Sequence, residues 1–154
     1  MVVGDTHGKC DSITSEIRKL PGIDLILHTG DFHQDGIYIS KRLDIETKVV
    51  VGNCDHGVKG SKEILLKTAN RKILITHGHE YNVKHTLNNL YFRAREKKAD
   101  IILYGHTHIP NLENMGDMWF MNPGSPTYPR GGSHASYGII EIADGQVIPR
   151  LITV

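Results

Sequence analysis

Short apolar runs alternate along the chain with polar, glycine-flanked turns, and their spacing predicts a mixed α/β protein. Val2-Val3 begins the series. Asp24-Leu25-Ile26-Leu27-His28 and Thr47-Lys48-Val49-Val50-Val51 read as buried strands, the second rich in β-branched residues. Residues 63–68 and 72–76 read as two strands joined through Ala69-Asn70-Arg71. Ile101-Ile102-Leu103-Tyr104 and Met118-Trp119-Phe120-Met121 add two more, and strands at 136–142 and 146–153 flank the hairpin signal Asp144-Gly145. Apolar residues three or four apart predict helices in between. One carries Ile13, Ile17 and Leu20 on a single face after an Asp11 or Ser12 N-cap and stops at Pro21-Gly22. A weakly amphipathic stretch at 35–44 suits a short helix. A longer one is expected over 83–98, with Val83, Leu87, Leu90, Tyr91 and Ala94 as its core stripe. Lys97 and Lys98 suit its carboxyl end, where the helix dipole favours cations. No repeat or linker divides residues 1–154, so one domain is expected.

The apolar runs share a second property: most stop at a glycine-flanked turn bearing His, Asp or Asn. Gly4-Asp5-Thr6-His7-Gly8 follows the first run, Gly30-Asp31 the second, Gly52-Asn53-Cys54-Asp55 the third, His77-Gly78-His79 a fourth and Gly105-His106-Thr107-His108 a fifth. Taken singly, each is as well explained as a turn, because Asp, Asn and Gly are turn formers. Taken together, they place Asp5, His7, Asp31, Asn53, His77, His106 and His108 at strand ends, the ligand-binding rim of open α/β sheets. A chain extended past Gly105 would point His106 and His108 to one side, and Asp5 and His7 stand in the same alternate relation. Seven N/O donors without cysteine exceed what one four-coordinate structural zinc requires and suit two metals sharing a ligand. Asp31 is the natural bridge, since each carboxylate oxygen can serve one cation. His28 lies inside an apolar run and reads as an interior histidine, not a ligand. His33, in a polar loop, is a weaker candidate for the rim.

Composition narrows the function. Eighteen basic against 17 acidic residues, net charge +1, argue against a broad nucleic-acid-binding face, whereas 10 histidines fit a metal site. Cys10 and Cys54 are too few for a disulfide framework and suggest a reducing compartment; Cys10 reads as a small apolar filler. No apolar run approaches the roughly 20 residues that span a membrane, and the first residues lack a signal-peptide layout, so a cytoplasmic protein is expected.

The ordered blocks just quoted, with Asn122-Pro123-Gly124-Ser125, resemble the calcineurin-like metallophosphoesterases, and more narrowly the small bacterial and archaeal YfcE-type phosphodiesterases. That resemblance implies a four-layer α/β/β/α sandwich of two mixed sheets with metals at the sheets' carboxyl edge. It implies Asp5, His7 and His108 on one divalent ion, Asn53, His77 and His106 on a second, and Asp31 between them. Mn²⁺ is the family's usual ion, and Ni²⁺, Co²⁺, Fe or Zn²⁺ suit the same donors. The implied reaction is attack on phosphorus, in line with the leaving group, by hydroxide bridging two cations about 3.5–4 Å apart.

Larger relatives carry Asn-His where this chain has Asn53-Cys54. A thiol is the weaker proton donor, so diesters or activated leaving groups are the expected substrates over simple alkyl monoesters. His79 is a further candidate for the acid or for a phosphate contact; Asn122 to Ser125 read as site wall and Arg130 as an exposed loop arginine. Loops 33–45 and 109–133 are expected to shape the pocket. The first strand is shorter than the family's, with four residues before Asp5. The expected partner is a small-molecule phosphodiester, with a homodimer left open. Two alternatives use the same blocks: a non-catalytic Vps29-like interaction scaffold, and a nuclease or phosphomonoesterase with the same bimetal core.

Overall fold

In the computed structural model, which describes residues 1–154, the elements run in chain order as follows. They are β1 (Val2–Val3), α1 (Asp11–Ile17), β2 (Ile26–His28), α2 (His33–Leu43), β3 (Thr47–Val49), β4 (Glu63–Thr68), β5 (Arg71–Thr76), α3 (Asn88–Lys97), β6 (Ile101–Leu103), β7 (Asn111–Met115), β8 (Met118–Asn122), β9 (Ser136–Ala143) and β10 (Gln146–Thr153). Ten strands form two five-stranded mixed sheets, ordered β10-β9-β1-β2-β3 and β4-β5-β6-β8-β7. Within each, three strands run parallel: β1 with β2 and β2 with the edge strand β3 in the first, β5 with β6 and β6 with β8 in the second.

Alternation along these strands sorts side chains into three apolar layers. Val2 and Leu27 from the first sheet meet Ile73, Ile75, Ile101, Leu103 and Met121 from the second, forming the seam between sheets. Their neighbours Val3 and Ile26 point the other way, onto Ile13 and Ile17 of α1 and Ile39 of α2. Leu74, Ile102 and Phe120 cover the outer face of the second sheet beneath Leu90 and Ala94 of α3. The order of layers is therefore helix, sheet, sheet, helix.

Several local expectations change. The third helix begins at Asn88, not at 83, because Asn82 is left-handed (φ 59°) and the chain turns through 82–87. Val83 and Leu87 still reach the α3 cluster, so their spacing reported burial without reporting helix. Asp11 is the first residue of α1; the capping position is Cys10, with no side-chain cap. Ala69 and Asn70 alone make the β4–β5 turn, both with positive φ, and Arg71 belongs to the strand. Segment 33–45 is mostly α2, and 109–133 contains an unforeseen strand, β7, paired antiparallel to β8 across Gly116-Asp117. Its sequence, Asn-Leu-Glu-Asn-Met, is polar enough to hide a sheet-edge strand. β1 is two residues long but fully buried in the middle of its sheet. No helix is long and apolar enough to cross a membrane.

Candidate metal centre

Parallel strands deliver their carboxyl ends to one edge, and the two facing sheets deliver theirs to the same place. Asp5 and His7 follow β1, Asp31 follows β2, Asn53 lies beyond β3, His77 follows β5, and His106 and His108 follow β6. The backbone there is not extended. Asp5, His7, Asp31, His106 and His108 all take positive φ between 48° and 70°. The left-handed region is disfavoured for such residues by roughly 1–2 kcal/mol each. Surrounding hydrogen bonds hold them: the Asp5 N–H donates to Gly30 O (3.0 Å) and the Arg130 N–H to His108 O (3.2 Å).

These turns undo the expected alternation. His106 and His108 do not form one pair on one side; they separate into two groups. His108 Nε2 lies 3.4 Å from Asp5 Oδ1 and 3.2 Å from His7 Nε2. His106 instead packs its ring against His77, centroids 5.0 Å apart. Asp31 stands between the groups. Its Oδ2 is 3.7 Å from His7 Nε2, and its Oδ1 is 3.4 Å from His77 Nε2. One donor atom each from Asp5, His7, Asp31 and His108 lie within 4.8 Å of one another. Asn53 Oδ1 is 3.1 Å from His77 Nε2 in the second group.

The tautomers follow from the partners. His77 Nδ1 faces the carbonyl of Thr29 at 2.9 Å and His108 Nδ1 that of Tyr128 at 2.7 Å. A carbonyl only accepts, so each Nδ1 carries the proton and each Nε2 of the neutral ring presents a lone pair. Burial depresses His77 to about 4, holding it neutral near pH 7, and burial also lowers His108. Thus His77 Nε2, Asn53 Oδ1 and Asp31 Oδ1 converge as three acceptors with no hydrogen between them. On the other side Asp5 Oδ1 is buried without any hydrogen-bond partner. Burial, then the adjacent Asp31 carboxylate, raises Asp5 well above the usual carboxylate range, against the pull of the His106 N–H on its Oδ2 (3.0 Å). For Asp31 burial also opposes ionisation, but His77 and the Cys54 N–H (2.9 Å to Oδ1) outweigh it and hold its pKa low. Buried lone pairs facing one another need positive charge between them, and this donor set fits divalent cations of borderline hardness.

Close packing leaves no space for side chains on two flanking residues. A Cβ on Gly52 would stand 2.1 Å from Asp31 Oδ1, and one on Gly105 would stand 2.8 Å from Asp5 Oδ2. The segment from Asn122 to Ser125 does more than wall the site. Asn122 Nδ2 donates to Gly105 O and Thr107 Oγ1 (both 2.9 Å), and its Oδ1 accepts the Gly124 N–H. Ser125 Oγ donates to Asp5 O at 2.8 Å. Asn122→Ala is expected to reduce stability to chemical denaturation by about 1.5 kcal/mol, because it strands buried groups on two site loops. An unchanged midpoint would show that those loops are held by something else.

The remaining sequence candidates are placed as follows. His79 lies beside the second group, 5.3 Å from His77 and 6.0 Å from His106 by ring centroids, with a buried Nδ1 that has no partner. Cys54 is exposed; burial of its thiol and its hydrogen bond to Asp31 push the pKa up to about 11. Cys10 is buried on the α1 side, as a filler would be. His28 is fully buried away from both groups; its Nδ1 accepts the Gly30 N–H, so its Nε2 donates to Thr6 Oγ1 (both 3.2 Å). His33 donates its backbone N–H to Asp55 and is not among the converging atoms. Arg130 is exposed, although its charge reaches Asp5 and His108. Sequence reasoning missed the Thr29 and Tyr128 carbonyls, since backbone acceptors leave no signature. It also missed Phe32 and Tyr128, whose rings rest against His7 at 5.1 and 5.7 Å.

Comparison with known proteins gives a consistent result. The sequence profile of the calcineurin-like phosphoesterase superfamily domain matches residues 1–145. The chain is 37% identical over 144 residues to the probable metallophosphoesterase YsnB of Bacillus subtilis, covering 92% of this chain and 83% of that protein. It is 31% identical over 118 residues to phosphodiesterase YfcE of Escherichia coli, covering 67% of this chain and 58% of that one. A crystal structure of a predicted phosphoesterase from Streptococcus pneumoniae superposes with a TM-score of 0.84 at 30% identity, covering 99% of this chain and 87% of the other.

Proposed function

Because this chain belongs to the calcineurin-like phosphoesterase superfamily, we propose that it is a dinuclear metal-dependent phosphodiesterase acting on a small-molecule phosphodiester. The observation that carries this reading is the position of Asp31, whose two oxygens face two separate groups of N/O donors, Oδ2 toward His7 and Oδ1 toward His77. Asp5, His7 and His108 would hold one cation, Asn53, His77 and His106 the other, with Asp31 shared; Mn²⁺ is the first choice. When bound, such cations supply Lewis acidity, lowering the pKa of water toward neutrality and offsetting charge on the phosphoryl oxygens.

The protein's own groups do the rest. The Thr29 and Tyr128 carbonyls lock His77 and His108 with their Nε2 lone pairs inward, so no ring must turn when a substrate arrives. Asn122 and Ser125 fix the loops carrying His106, His108 and Asp5. Cys54, protonated at neutral pH with its Sγ 3.4 Å from Asn53 Nδ2, and His79, whose ring neighbours His77 and His106, are the candidates to give a proton to a departing oxygen. The weak acidity of the thiol favours diesters with stable leaving groups over alkyl monoesters.

The test is hydrolysis of a chromogenic phosphodiester and its matching monoester by metal-stripped protein, before and after adding Mn²⁺. Cation-dependent turnover, faster for the diester, is expected. No turnover with Mn²⁺, Ni²⁺, Co²⁺, Fe²⁺ or Zn²⁺ would overturn the reading and leave a binding scaffold as the better account.

A further inference from the structure

Two aromatic rings at the mouth of the metal centre are exposed where burial would be expected: Phe32 at 38% and Tyr128 at 42%. Both touch His7, Phe32 in a tilted arrangement and Tyr128 edge-on. Neither is a loose loop side chain. The Tyr128 backbone is held at both ends, its N–H donating to Ser125 Oγ (2.9 Å) and its carbonyl accepting from His108 Nδ1. Lys9 lies over its ring, Nζ 4.8 Å from the centroid. The Phe32 carbonyl accepts the Asp35 N–H at the start of α2, and the ring lies over Gly8.

Phe32 also breaks a local rule. It follows Asp31 in the left-handed region (φ 66°) at the capping position of α2, where Gly, Asn or Asp would suit the backbone better. A residue that is disfavoured by its backbone, exposed, and set against a candidate ligand points to a role outside the fold. Aromatic faces beside a charged site are platforms for flat rings, and base–aromatic stacking tolerates any ring with a π-face.

Resting on the phosphodiesterase reading, we infer that Phe32 and Tyr128 form a stacking subsite beside His7 that selects phosphodiesters carrying a planar aromatic substituent. With cations held by Asp5, His7, Asp31 and His108, a phosphoryl group bound to them would place its non-leaving ester arm against one of these rings, and Lys9, over one face of Tyr128, leaves the other face for the arm.

Three p-nitrophenyl phosphodiesters, with methyl, phenyl or thymidin-5′-yl as the second ester arm, share one leaving group and differ at the proposed subsite. The wild-type protein with Mn²⁺ is expected to show kcat/KM about tenfold higher for the phenyl or thymidinyl ester than for the methyl ester; which of the two gains identifies aryl or nucleoside as the source. In Phe32→Gly/Tyr128→Ala the preference should shrink to within about twofold, and Tyr128→Phe should retain it. Phe32→Gly alone should raise Tm while lowering the preference, a combination that a purely structural phenylalanine would not give. Calorimetry with phenylphosphonate against methylphosphonate reads the same selectivity without turnover. A preference that survives the double variant, or equal binding of the two phosphonates, would overturn the subsite and leave the phosphodiesterase reading intact. Hydrolysis of none of the esters, with phenylphosphonate still bound more tightly, would overturn the activity and leave the subsite standing.

Discussion

Asp31→Asn is expected to lower kcat/KM toward a chromogenic phosphodiester about a thousandfold, equivalent to about 4 kcal/mol of transition-state stabilisation. The substitution preserves shape and retains an oxygen for the Cys54 N–H, but it removes the charge from the residue standing between the two donor groups. It also puts an amide group at the Oδ2 position, facing His7, where the native residue presents a carboxylate oxygen. The variant should not unfold. In the metal-free protein it removes the carboxylate that, after burial, most disfavours ionisation of Asp5, so its Tm should match or exceed that of the wild type. On the dinuclear reading, metal analysis should show the stoichiometry fall from two cations to one or none. Activity within tenfold of wild type would mean that Asp31 does not join the two groups.

Acid should destabilise the metal-free protein above the pH range in which ordinary carboxylates titrate. Burial lowers His28 to about 3 and His77 to about 4, whereas an unfolded histidine titrates near 6.5. Between those values the unfolded chain binds more protons, so stability rises with pH; it is fully present above about 6.5 and lost as pH falls. Down to pH 4.5 these two residues each remove roughly 2.7 kcal/mol. Asp5, raised by burial, works in the opposite sense, because its folded form binds the extra proton below its raised pKa and so offsets part of that loss. His106, lowered by burial to about 4, and His108, lowered likewise, add to the loss, so the expectation is a falling Tm in EDTA between pH 7 and 4.5. His28→Gln should flatten that slope while touching neither donor group. A Tm constant over the interval would show that these rings are not buried in the neutral form.

The architecture was largely legible because burial on both faces of a parallel strand demands a short, nearly unbroken apolar run. Ile73 to Ile75 and Ile101 to Leu103 supply such runs, and each neighbouring pair feeds a different layer of the sandwich. β7 escaped notice because an edge strand covered on one face needs little apolar character. The overlong third helix came from Val83 and Leu87, which bury themselves from a turn. The strand ends that gather at one edge were legible as a recurring glycine with His, Asp or Asn. How they divide was not, since the left-handed turns at His106 and His108 replace the two-residue period that the sequence suggests. The aromatic rings beside His7 were invisible for another reason: Phe32 is placed by a conformation that a phenylalanine seldom adopts.

Sequence separation within the centre sets the order in which it can come into being. His7 meets His108 across 101 residues, Ser125 secures Asp5 across 120, and Val2 pairs with Gly138 in the middle of its sheet. During synthesis the earliest donors must therefore wait, unpaired, until nearly the whole chain has emerged. Closing such long loops before their contacts repay the lost entropy slows folding. Assembly of the centre is thus a late event in the life of the nascent chain, and a ribosome-bound fragment ending before residue 108 should hold no more than one of the two donor groups.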